Sequence, residues 1–109
     1  MDSILTSIKA LLGGIPESQT GFDPELIMHI NSVFMTLRQL GVGPVTGFKI
    51  ADKTATWDSF IPASEIDKEA VKTYIYLKVK LVFDPPASAV VCDALSRMAD
   101  EYEWRLTNN

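Results

Sequence analysis

The chain has 109 residues, 47% of them apolar, and 10 Lys plus Arg against 14 Asp plus Glu give a net charge of −4. That length suits one domain around one core and excludes a second, while the acidic balance excludes tight binding to phosphate backbones, which needs a basic patch to displace counterions. The single cysteine, Cys92, excludes an internal disulfide. It fits a reducing compartment, as does a start, Met1-Asp2-Ser3, without the basic residues of a signal peptide. No apolar run approaches the roughly 18 residues that cross a bilayer, since even Tyr74 to Phe83 carries Lys78 and Lys80.

The pattern predicts a mostly α protein: a small antiparallel domain of about four helices, occupying residues 1–109. Asp2 to Leu12 places Ile4, Leu5, Ile8, Leu11 and Leu12 at helical spacing and stops at Gly13-Gly14. Asp23-Pro24-Glu25 opens the second helix with a capping carboxylate, a proline at the first helical position and an acid in the positive first turn. Its apolar stripe is Leu26, Ile27, Ile30, Val33, Phe34, Leu37 and Leu40, and Gly41 ends it.

From Gly41 to Pro62 the periodicity disappears into a long loop that holds Phe48, Ile50, Trp57 and Phe60. The pieces around Phe48 to Ile50 and Ala55 to Trp57, separated by Ala51-Asp52-Lys53-Thr54, are expected to pair as a short β-hairpin if they pair at all, since two strands alone are marginal in water. Connections of this length in small domains are functional or disordered, and the aromatic residues argue against disorder.

Ser64 to Phe83 contains no Gly or Pro and reads as the central helix. Leu77-Lys78-Val79-Lys80-Leu81 does alternate like a strand, but the run is too long for one, and Ser64 with Asp67 resembles a capping box. Glu65, Lys68, Glu69, Lys72 and Lys80 share one face. Ile66, Ala70, Tyr74, Leu77 and Leu81 share the other, widened by Val71, Ile75 and Val82, so this helix should touch neighbours on more than one side. Asp84-Pro85-Pro86 stops it and folds the chain back. The last helix, Ala87 to Leu106, is expected to bury Ala87, Val90, Val91, Ala94, Leu95, Met98, Tyr102 and Leu106, with Arg97-Glu101-Arg105 as a surface ladder.

Chemistry is scarce. His29 is the sole histidine and Cys92 the sole thiol; no nucleophile motif surrounds either, and zinc would lack a second soft ligand. The glycines at 41, 43 and 47 match neither a dinucleotide fingerprint nor a phosphate loop, and turn chemistry accounts for them. Neither a catalytic residue nor a cofactor or metal is expected.

More informative are apolar residues on sides that should be wet. Met28 and Met35 fall opposite the main stripe of the second helix, and Trp104 lies nearer Asp93, Arg97 and Asp100 than the stripe of its own helix. Isolated exposed apolar groups are ordinary on a monomer, yet methionine and aromatic residues are enriched at interfaces. Lys78 is the converse, a charge on the apolar side of its helix, which either snorkels to water or pairs with an acid across a subunit contact.

In matching order, six stretches closely resemble the head-tail connector, or adaptor, proteins of long-tailed bacteriophages and prophages. They are Asp23-Pro24-Glu25-Leu26-Ile27-Met28-His29-Ile30-Asn31-Ser32-Val33-Phe34, Leu40-Gly41-Val42-Gly43-Pro44, Asp52-Lys53-Thr54-Ala55-Thr56-Trp57, Val71-Lys72-Thr73-Tyr74-Ile75-Tyr76-Leu77-Lys78-Val79, Phe83-Asp84-Pro85-Pro86 and Glu103-Trp104-Arg105-Leu106. No single stretch is chemically diagnostic; the combination, spread over nearly the whole chain, carries the likeness. The resemblance implies a mostly helical structural protein, made in a bacterial cytoplasm and placed in the virion at the head-tail junction, in a ring below the portal vertex through which DNA passes. Its implied partners are further copies of itself, in a ring formed alone or only on the portal, the portal protein and a tail-side completion protein, with no membrane and no sequence-specific nucleic acid.

A cyclic assembly needs two unlike faces on each subunit. The loop and the off-stripe residues are the candidates: Met28, Met35, Trp57, Phe60, Lys78 and Trp104, with Trp57 and Phe60 expected to anchor a neighbouring subunit or the portal. The rival readings are a protein-binding or regulatory module that forms no ring, and an enzyme built on His29 or Cys92.

Overall fold

Each apolar stripe long enough to span two turns folds as a helix. In the computed structural model, which describes residues 3–44, 46–60 and 68–107, these are α1 (Ile4–Leu11), α2 (Asp23–Gln39), α4 (Lys68–Phe83) and α5 (Ala89–Thr107), and a further single turn, α3 (Trp57–Phe60), forms inside the stretch expected as loop. Ser64, Glu65, Ile66 and Asp67, and with them the expected capping box, lie outside the described residues. The alternating stretch from Ile75 to Phe83 is helical throughout, as its uninterrupted length required.

Local signals account for most helix ends. The Ser3 hydroxyl caps α1 by accepting from the Thr6 N–H. The α2 terminus is a Schellman motif: Val42 N donates to Leu37 O at 2.9 Å and Gly41 N to Arg38 O at 3.0 Å. Gly41 has φ +82°, the left-handed conformation that position requires, and Val42 is buried as the accompanying apolar contact. At α5 the Ser88 hydroxyl accepts from Val91 N at 3.4 Å, so the helix begins at Ala89 rather than Ala87.

One cap differs from expectation. Phe22 occupies the capping position of α2, Asp23 lies inside the helix, and its carboxylate pairs with Lys9 at 2.9 Å. Lys9 is buried, and its ammonium also donates to Gln19 O at 2.6 Å and Glu17 O at 3.3 Å. A buried ammonium is tolerable only when paired and hydrogen-bonded; here that requirement ties the α1–α2 connection to both helices.

α4 is the centre of the packing. Phe22 and Phe83 meet edge to face at 5.6 Å between ring centroids, so the start of α2 lies against the end of α4 and the two run antiparallel. α5 folds back along α4 after Asp84-Pro85-Pro86, and the Tyr74 hydroxyl donates to Glu103 Oε1 at 3.4 Å across that hairpin. α1 packs on α2 and α4, whereas α5 finds its helical neighbour in α4. The main core joins Ile4, Ile8, Leu26, Ile30, Phe34, Leu37, Val71, Tyr74 and Ile75, and α5 reaches it through Leu106.

The expected β-hairpin is not formed among the described residues. The Asn31 side chain takes Ile50 instead, its Nδ2 donating to Ile50 O at 2.9 Å and its Oδ1 accepting from Ile50 N at 2.7 Å. The other half pairs with the chain start, through an isolated antiparallel bridge between Ser3 and Thr56 and the Ile4 N–H on Ala55 O at 3.0 Å. Each piece thus satisfies its backbone against a helix or its cap. Between them Asp52 Oδ1 accepts from the Thr54 hydroxyl and N–H, and these bonds hold the Asp52 carboxyl below its ordinary pKa.

Candidate protein–protein interface

α5 was expected to bury a full apolar stripe, and it does not. Among its described residues only Ala99 and Leu106 are buried; Leu95 and Tyr102 are half-covered, and Ala94, Val91 and Met98 are exposed, as is Ala87 just before it. Val90 is 76% exposed. The physical reason is that, among the described residues, α5 packs chiefly on α4, so one side of it meets that helix and the other meets solvent. Val82, at the end of α4 beside the turn, is exposed as well, correcting its expected place on the widened apolar face.

α2 contributes a second exposed set. Met28 is 61% and Met35 65% exposed, and Trp104 on α5 is 66% exposed, so all three off-stripe residues lie on the surface of the protomer. Met35 also borders a groove of about 340 Å³ between α2 and the loop, lined by Asn31, Phe34, Arg38, Phe48 and Lys49 among others, with no acid among the described residues of its wall.

Trp57 and Phe60 require a correction: both are buried inside the protomer and present no anchor on its surface. The Trp57 Nε1–H donates to Ser7 Oγ at 3.2 Å, and the Lys72 ammonium stands 5.6 Å from the ring centroid. Phe60 closes a three-ring cluster, 4.6 Å from Phe34 and 5.2 Å from Phe48 between centroids. Composition had marked the loop as aromatic; only tertiary packing decides whether such rings turn inward. Lys78 is half-buried and joins no ion pair among the described residues.

The residues considered for catalysis stand in ordinary surroundings. His29 Nε2 lies 3.7 Å from Glu25 one turn earlier and its ring sits edge-on to Phe83, while the Cys92 thiol donates to Pro86 O. No group of three metal-ligating side chains occurs among the described residues. Tyr74 has a pKa pushed up to about 12, by burial first and then by the neighbouring Glu103 and Asp100 charges. It is a buried link between α4 and α5.

Two elements escaped sequence reading. Lys9 had a signal, since Leu5, Lys9 and Leu12 share one side of α1 and a charge there needs a buried partner. The groove had none, because Arg38 and Lys49 come together only when Asn31 fixes the loop on α2.

These features define a small helical protein that leaves apolar side chains of its last helix outside its own core, and no described helix is long and apolar enough to cross a membrane. Residues 4–109 match the family model described as phage connector protein, and the chain belongs to that family. It is thereby a structural phage protein, a component of the virion. No curated protein and no solved structure shows significant similarity to it.

Proposed function

We propose that the chain acts as one helical domain, a subunit of a ring-shaped head-tail connector that joins the portal vertex to the tail and leaves a passage for DNA. The uncovered apolar side of α5, with Val90, Val91, Met98 and Trp104, carries this reading. A phage connector subunit has other virion chains to meet, and apolar side chains left in water by a small protomer are stabilised when such chains cover them. The net charge of −4 supports the passage, because a lumen without a basic lining does not hold the DNA backbone. Catalysis has no part in it; His29 and Cys92 serve local packing.

The test is to mix purified protein with the matching portal protein and examine the product by electron microscopy. Rings seated on the portal are expected. Monomers at high concentration together with no portal binding would refute the ring and leave a protein-binding module in its place.

A further inference from the structure

Given the ring, we infer that its repeating contact seats Trp104 of one copy in the α2–loop groove of the next. The groove is bounded by the Phe34 and Phe48 rings, the Met35 thioether and two cations, Arg38 and Lys49. That lining matches an indole: sulfur packs favourably at aromatic edges and guanidinium over aromatic faces, and indole is the best cation acceptor among side chains. Its volume of about 340 Å³ admits a tryptophan side chain.

Charge selects the same partner. One turn before Trp104 on α5 stand Asp100 and Glu101; Glu101 is engaged by Arg105, while Asp100 joins no ion pair among the described residues. The indole therefore arrives with a carboxylate beside it, and the described residues of the groove wall carry two cations and no acid. Topology completes the match. α5 packs on α4 and α4 on α2, and Trp104 is not part of the groove wall, so groove and indole are separate patches of one protomer. A contact between unlike patches is heterologous, and each subunit that docks its Trp104 leaves its own groove for the next, which is what a ring requires.

Cross-linking tests the pairing. In a Cys92→Ser background, Thr46→Cys at the groove and Thr107→Cys, one turn beyond Trp104, are placed on separate chains that are mixed, with the portal present, and oxidised; both native side chains are exposed. A disulfide-linked pair in the mixture alone is expected. Trp104→Ala should weaken assembly by about 30-fold or more, as for a central aromatic anchor, with Trp104→Phe recovering most of it. Assembly should also shift the tryptophan emission to the blue, because Trp57 is buried before assembly and only Trp104 changes surroundings.

Rings that form with no cross-link and assemble unchanged in Trp104→Ala would overturn the pairing and leave the ring standing. Thr107→Cys chains that link to one another would overturn it in favour of a two-fold contact. Wild-type protein that stays monomeric with the portal present would remove the ring and the pairing together.

Discussion

Replacing Lys9 by Met should lower stability by about 3 kcal/mol, although the new side chain follows almost the same path through the core. The Lys9 ammonium holds three partners: the Asp23 carboxylate at 2.9 Å, Gln19 O at 2.6 Å and Glu17 O at 3.3 Å. Removing one member of a fully buried pair costs roughly 3–5 kcal/mol, because a charge is left behind without compensation. The Asp23 side chain retains 21% of its exposure, and α2 presents its positive end to it, so the remaining carboxylate keeps some solvation. That places the ion-pair part at about 2 kcal/mol, and the two released carbonyls add about 1 kcal/mol between them. Methionine preserves most of the stem packing, so a cavity contributes little. For a domain of this size the loss corresponds to a fall in Tm of roughly 12–24 °C, measurable by thermal and denaturant melts followed by circular dichroism. Asp23→Asn combined with Lys9→Met should cost less than the sum of the single changes, since the double variant strands no charge. A loss under about 1 kcal/mol for Lys9→Met, or strict additivity with Asp23→Asn, would refute the role assigned to this lysine.

Gly43→Ala should destabilise by roughly 2–5 kcal/mol, from left-handed strain together with overpacking. Gly43 has φ +91°, and a Cβ there would stand 2.5 Å from Cε1 of Phe60, whose ring is held in place by Phe34 and Phe48. Urea melts should show Phe60→Leu restoring the packing part; full stability in Gly43→Ala would mean that the three-ring cluster is loose. Tyr74 gives the fold an alkaline limit. Its pKa is about 12 in the folded chain against an ordinary 10.0, so between those values the unfolded chain releases a proton that the folded chain keeps, and stability falls by up to roughly 2–3 kcal/mol. Below pH 10 the contribution is fully present. Denaturant midpoints measured from pH 9 to 12 should fall more steeply for wild type than for Tyr74→Phe, and equal slopes would assign the loss to other groups.

The helices were legible because their signals are local. Ile30, Phe34 and Leu37 recur at helical spacing and are all buried, Gly41 ends α2 through hydrogen bonds within six residues, and Asp84-Pro85-Pro86 stops α4 where proline must. What failed was whatever depended on a distant partner. Asp23 satisfies a local capping rule, yet its carboxylate goes to Lys9 because a buried ammonium leaves no better arrangement. Phe48 to Ile50 and Ala55 to Trp57 satisfy a hairpin pattern, yet Asn31 and the Ser3–Ile4 backbone reach them first. Trp57 and Phe60 carry the composition of an interface, and the core takes them.

α5 shows where periodicity stops being informative. A stripe such as Val90, Val91, Ala94 and Met98 states that one side of a helix avoids water; whether the cover comes from the same chain or another is a property of the layers around it. Here, among the described residues, the cover comes chiefly from α4. A buried stripe and an assembly surface therefore use the same residue types at the same spacing, and the difference appears only when neighbours are counted. The uncovered side is also long: at 1.5 Å per residue, Val90 and Trp104 stand about 21 Å apart along the helix axis. The hairpin end near Val90 and the far end at Trp104 therefore stand far enough apart for two different partners to cover them. In the proposed connector ring a subunit meets both its ring neighbour and the proteins above or below it, and so has use for two such patches.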